Sequence, residues 1–157
     1  MHERIENVTS AAAIEEFLAQ KSLAVAGVSR QGKKFGNIAY RALRARGYRL
    51  FPVHPTAQEI EGDRCFASLA ALPEGVGGVL VVLPPAQTEA VVRDAARAGI
   101  RRVWMQQGAA SPAAIRACEE HGMQVVHGHC ILMFASPVRS YHRLHRWIWR
   151  LLGKLPQ

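Results

Sequence analysis

The sequence predicts an α/β fold: a three-layer open parallel sheet of about five to six strands, helices on both faces, and an amphipathic helix at the carboxyl end. Three observations carry this expectation. Short apolar runs alternate about five times with segments of helical periodicity. The run VGGVLVVL at 76–83 is almost wholly apolar, as a parallel strand covered on both faces must be. The apolar stretch LAVAG at 23–27 leads straight into the glycine-rich, basic turn VSRQGKKFG, and a helix follows.

The elements follow in order. Residues 10–20 form a short amphipathic helix capped by Ser10 or Thr9. Strand 23–27 comes next, then a helix over 35–46 that stops at Gly47. The second strand, 49–53, is closed by His54-Pro55. Residues 59–72 hold a short edge strand and one helical turn. The strand at 76–83 ends at Pro84-Pro85, and a helix over 87–98 stops at Gly99. Strand 102–106, helix 112–121 and strand 124–127 complete the alternation. With 157 residues, 49% of them hydrophobic, one domain with one core is expected, its sheet region spanning about 22–134.

Composition bounds the function. No window approaches 18 consecutive apolar residues, and the start, MHERIENVTS, lacks the apolar stretch of a secretory signal. Cys65, Cys118 and Cys130 show no CxxC spacing and cannot all pair, so a reduced, cytoplasmic setting is expected. The net charge of +8 is concentrated in two acid-free runs. One holds Arg30, Lys33, Lys34, Arg41, Arg44, Arg46 and Arg49; the other holds Arg139, Arg143, Arg146, Arg150 and Lys154. Such a balance suits nucleic acid, a membrane surface or a small polyanion.

Ligands of open parallel sheets bind at the carboxyl ends of strands. There the turn at 27–36 reads as a phosphate cradle: glycines let the backbone approach an anion, and the helix start directs N–H groups at it. The template G-x-G-x-x-G nearly fits at Gly27-x-Ser29-x-x-Gly32, with Ser29 in place of the middle glycine. An NAD site also wants an acid after the second strand, where Val53-His54-Pro55 stands instead. NADP stays open, since basic residues can take its extra phosphate, and so does a turn with no ligand. A Walker loop is absent.

Four segments in order give the chain a family resemblance. They are AVAGVSRQGKKFGNIAYRALRARGY, LFPVHP with a downstream EIEG and Ser68-Leu69, VLVVLPP, and VWMQQGAAS, with a weaker fifth at GHC, 128–130. The chain resembles the small stand-alone CoA-binding proteins, whose Rossmann-like domain is similar to that of the succinyl-CoA synthetase alpha subunit. The resemblance implies coenzyme A or an acyl-CoA as ligand. It implies that Gly27, Val28, Ser29, Lys34 and Gly36 line the phosphates; Lys33, beside Lys34, stands where extra positive charge would help. Val53, His54 and Pro55 would flank the adenosine, Leu83 and Pro84 would border the cofactor, and Gln107, Gly108 and Cys130 would lie near the pantetheine arm. In two places the chain departs from the family pattern: Gln107 stands where an acid is common, and His129 where Asn or Arg is.

No catalytic pair stands out. His54 and His129 have no accompanying acid in sequence, and the chain is too short for the second domain that acyl-CoA synthetases need. His127-Gly128-His129-Cys130 matches no standard zinc spacing, so no metal is expected. Cys130 reads as a reactive thiol near the ligand or as a small buried side chain, and Cys118 as core. Residues 138–155 place four arginines on one stripe, Tyr141, Leu144, Ile148, Leu151, Leu152 and Leu155 opposite, and Trp147 and Trp149 at the boundaries. That helix is expected to dock on its own domain or on a partner subunit, as in a homodimer, with a membrane surface as the alternative. No nucleic-acid motif is recognised. The leading expectation is a non-catalytic CoA-binding, sensing or carrier protein. The alternatives are an NADP-dependent oxidoreductase and a peripheral membrane or interaction module.

Overall fold

A computed structural model describes residues 9–135. The elements run α1 (Ala11–Leu18), β1 (Ser22–Ala26), α2 (Phe35–Ala45), β2 (Arg49–Val53), β3 (Glu59–Ile60), β4 (Asp63–Arg64), a 3₁₀ turn (Leu69–Ala71), β5 (Gly78–Val81), α3 (Pro85–Arg97), β6 (Arg102–Gln106), α4 (Pro112–Glu120), β7 (Gln124–His129) and a second 3₁₀ turn (Ile131–Met133). Five strands form one parallel sheet in the order β2-β1-β5-β6-β7. The fold is the three-layer α/β architecture the alternation predicts.

Side chains alternate across the sheet and feed two cores. Leu23, Val25, Leu80, Trp104 and Val126 point to one face, where they meet Ile14 and Phe17 of α1 and Tyr40 and Leu43 of α2. Ala24, Val79, Val81, Val103 and Met105 point to the other, against Val92 and Ala95 of α3 and Ala114, Ala117 and Cys118 of α4. Each fully buried large side chain of this kind contributes about 1.5–3 kcal/mol. Trp104 is the largest; its ring lies 5.5 Å from that of Phe17 and 6.1 Å from that of Phe134.

Four segments differ from the sequence expectation. The apolar run at 76–83 pairs as a strand only over Gly78–Val81, flanked by bonds from Gly77 N–H to Ser22 O (2.9 Å) and Val82 N–H to Ala26 O (2.7 Å). β7 runs two residues further, to His129, because the β6–β7 register shifts between Trp104 and Gln106. α3 starts at Pro85, whose fixed φ and missing N–H suit a first helical position. Residues 59–72 give a two-stranded hairpin outside the main sheet plus a 3₁₀ turn. Pro52 is tolerated within β2 because β2 is an edge strand. The helix expected over 138–155 lies outside the described residues.

Candidate functional site

The chain leaves β1 toward β2 on one side and returns past it to β5 on the other, so the loops after β1 and β5 diverge. Doubly wound sheets open a crevice at that point. Here it is a cavity of about 840 Å³ at the carboxyl ends of β1, β2 and β5. Gly27, Val28, Ser29, Lys34, Val53, His54, Pro55, Leu83 and Pro84 line it, as do Arg30, Gln31, Ser68, Leu69, Gln87 and Val91. Arg30 and Gln31 belong to the turn expected to cradle phosphate, Ser68-Leu69 was visible only as part of the resemblance, Gln87 ends the expected loop after the strand at 76–83, and Val91 was not expected from sequence. Lys33 is exposed on the same loop but is not in the lining, and Gly36 sits behind it. Gln107, Gly108 and Cys130 lie after β6 and β7, also outside the lining.

The loop path is dictated by two glycines. Gly27 has φ +114°, and a Cβ there would lie 2.0 Å from the Val82 carbonyl oxygen. Gly36 lets the start of α2 press on the loop; its Cβ would lie 2.3 Å from the Gly27 oxygen. The close-packing role that the template gives to its third glycine therefore falls to Gly36. Gly32, which the template aligned there, has φ +73° and nothing nearer to its Cβ position than Glu61 Oε1 at 3.7 Å.

Between these glycines the loop bonds to itself and to α2. Asn37, fully buried, accepts from Ser29 N–H (3.0 Å) and donates to Ser29 O (2.8 Å). Ser29 Oγ accepts from Gln31 N–H (3.1 Å). The Ser29 N–H is thus already used. Among the described residues the N–H groups of Arg30, Phe35 and Gly36 have no partner.

Helix starts differ around the sheet. Ser10 and Ser111 cap α1 and α4 with their side chains. The caps of α2 and α3, Lys34 and Pro84, make no such bond, and both residues line the cavity. Two uncapped amino ends thus converge on one cleft, each with the partial positive charge of a helix start.

The charge around the cleft is smaller than the sequence run suggests. Arg41 lies 3.4 Å from Glu61 Oε2 and Arg44 lies 3.0 Å from Asp63 Oδ2. Arg46 bonds back to Ala42 O, and Arg49 lies over the Phe51 ring. The acid-free run in sequence meets acids in space, supplied by the β3–β4 hairpin. Arg30, Lys33 and Lys34 form no ion pair among the described residues.

The cleft holds little acid–base machinery. His54 Nδ1 accepts from the N–H groups of Thr56 (3.1 Å) and Ala57 (3.0 Å), so the ring organises the turn after β2. Asp94 at the rim pairs with Arg97 at 2.9 Å. Burial pushes the Cys65 thiol up, and that of Cys118, which packs in the second core, to about 12. Trp104 Nε1–H donates to His129 O (3.2 Å), and Gln106 Oε1 accepts from Ile131 N–H (3.1 Å). The Trp-x-Gln pair thus ties down the end of β7. Burial, then the neighbouring His127, holds His129 below the usual histidine value. Among the described residues no group of His, Cys, Asp or Glu is arranged to hold a metal, and no helix is long and apolar enough to cross a membrane.

Fold and cleft together define a doubly wound α/β domain with a glycine-rich loop at its switch point. The chain belongs to the CoA-binding-domain family, whose profile matches residues 21–136. It is 28% identical over 123 residues to an uncharacterised protein, YneT, of Bacillus subtilis, covering 78% of this chain and 91% of that one. It is 24% identical over 135 residues to the ADP-forming acetate–CoA ligase I of Archaeoglobus fulgidus, covering 80% of this chain but only 20% of the ligase. A conserved hypothetical protein of Pyrococcus furiosus superposes with a TM-score of 0.68 at 35% identity, over 71% of this chain and 97% of that one. A Thermus thermophilus protein superposes with a TM-score of 0.70 at 28% identity, over 86% and 98%.

Proposed function

We propose that the protein binds coenzyme A or an acyl-CoA in the cleft at the ends of β1, β2 and β5, and that it carries or senses this ligand rather than transforming it. One observation carries the reading. Two uncapped helix starts and three cations without ion pairs meet at one glycine-shaped loop, in a chain of the CoA-binding family. The diphosphate takes N–H donors from Arg30 and the first turn of α2, where an anion is favoured by both hydrogen bonding and the helix field. Lys33 and Lys34 answer the outlying 3′-phosphate. Val53, His54, Pro55 and Leu83 flank the adenosine, and the thiol arm runs toward Gln107, Gly108 and Cys130. The ligase activity of the Archaeoglobus relative resides in a protein of which this chain spans one fifth. We extend the proposal to residues 138–155, whose apolar stripe would dock on this domain or on a second copy.

Titration calorimetry with CoA, dephospho-CoA, NAD and NADP tests the assignment. CoA is expected to bind tightest, and more weakly as salt rises, because exposed charges contribute. Tighter binding of NADP would overturn the CoA reading and favour a reductase, since no acid follows β2 to exclude a 2′-phosphate.

A further inference from the structure

The hairpin β3–β4 turns through Glu61 and Gly62, with φ +53° and +79°. Two positive φ values are what a type I′ turn requires, and the first such position favours Asn, Asp or Gly. Glu61 is the only non-glycine residue with positive φ among those described. Its side chain nevertheless leaves solvent, with 13% of its surface exposed. Glu61 Oε1 accepts from Asn37 Nδ2 at 2.8 Å, and Oε2 lies 3.4 Å from Arg41 Nε. Asn37 holds both backbone polar groups of Ser29, and Arg41 Nη2 donates to Gly32 O at 2.6 Å. One carboxylate therefore orients two side chains that grip the loop at two points three residues apart. Arg44 Nη1 fixes the carboxylate's own backbone, donating to Glu61 O at 2.7 Å.

We propose that Glu61 is a positioning residue for the anion loop: through Asn37 and Arg41 it holds residues 29–32 in their binding shape before ligand arrives. The inference rests on the reading of this loop as the CoA phosphate site. A non-glycine residue at a positive-φ position that glycine would fill without strain, with its long side chain fully engaged, points to a role for what that side chain holds. The functional gain is pre-organisation: a loop already ordered spends none of the ligand's binding free energy on ordering itself.

The test compares Glu61→Gly and Glu61→Gln by backbone amide exchange and CoA calorimetry. Glycine relieves the strain at φ +53°, which offsets part of what the lost contacts to Asn37 and Arg41 cost, so Glu61→Gly should still fold. In its unliganded state the hydrogen-bonded amides of Ser29, Gln31 and Gly32 should exchange about tenfold faster, while those of β1 and β5 stay as in wild type. Its CoA affinity should fall about tenfold through a less favourable entropy, and bound CoA should restore slow exchange. Glu61→Gln keeps an acceptor for Asn37 and should lie between the two. Wild-type exchange at Ser29, Gln31 and Gly32 in Glu61→Gly would overturn the proposal. So would a rise across the whole sheet, which would make Glu61 a general stability element. If wild-type protein takes up no CoA, the CoA assignment fails alone, and exchange in the unliganded protein still decides the clamp.

Discussion

Replacing Gly36 by Ala sets helix propensity against packing, and the structure decides the sign. Propensity alone favours alanine by about 1 kcal/mol in a helix interior. The added Cβ, however, would sit 2.3 Å from the Gly27 oxygen and 3.0 Å from the Gly27 carbonyl carbon. Ordinary contact begins near 3.4 Å, so the overlap with the oxygen is 3.4 − 2.3 = 1.1 Å. The obstacle is backbone, and it has no room to retreat, because Gly27 is itself pressed against Val82. Overpacking of this kind costs about 1–3 kcal/mol, here toward the upper end, because no flexible side chain can give way. The net expectation is a loss of about 2 kcal/mol, or a fall in Tm of about 4–8 °C. Urea denaturation gives the free energy, and CoA titration should show weaker binding, since the loop must shift to admit the methyl group. Gly62→Ala is the control: nothing lies within 4 Å of its Cβ position, so only the strain of φ +79° remains. Gly36→Ala protein as stable as wild type, or more stable, would refute the argument that the loop and α2 are in forced contact.

Further outcomes follow from the same geometry. Lys34→Ala should weaken CoA binding by about 1–3 kcal/mol and flatten its salt dependence, measured by calorimetry at two ionic strengths. Ser29→Asp should cost more, because it sets a carboxylate in the cleft; CoA affinity equal to wild type would remove this loop from the site. Cys130→Ala should leave CoA affinity within about tenfold, roughly 1.4 kcal/mol, since the thiol lies outside the cavity lining. His129 has a folded pKa below its ordinary value of 6.5, so the unfolded chain binds more protons there. Stability should therefore be full above pH 6.5 and fall as pH drops from there toward the folded pKa. His129→Phe should lessen that fall in urea melts run across this range.

The parts of the fold legible in the sequence are those set by short-range pattern. β2 and β6 were readable to the residue because a glycine or a basic residue opens each run and a turn closes it. The cleft loops after β1, β2 and β5 were readable because Gly27, Pro55 and Pro84 punctuate them. The support behind the loop was not. Glu61 and Asp63 stand 17–19 residues beyond Arg44, so the basic run looked uncompensated until the hairpin folded back on α2. Asn37 looked like any polar residue in a first turn, although it is fully buried against Ser29. Gly32 fitted the template spacing, yet the position that needs a missing Cβ is Gly36, because this loop is longer than the template's. Spacing rules assume a loop length; contact between backbones does not.

Trp104 gives this domain an optical reporter that needs no label. Its indole is wholly buried, stacked obliquely near Phe17 and Phe134, with its N–H held by the His129 carbonyl. An indole so dry should emit at short wavelength, and dislodging the segment after β7 should shift that emission red. The cleft opens at β1 and β5, and Trp104 lies on β6, outside the lining. In a background with Trp147 and Trp149 replaced by Phe, ligand that stays in the cleft should leave the emission unchanged. A colour change on adding CoA would then report the thiol arm reaching the ends of β6 and β7, where Trp104 is tied to His129.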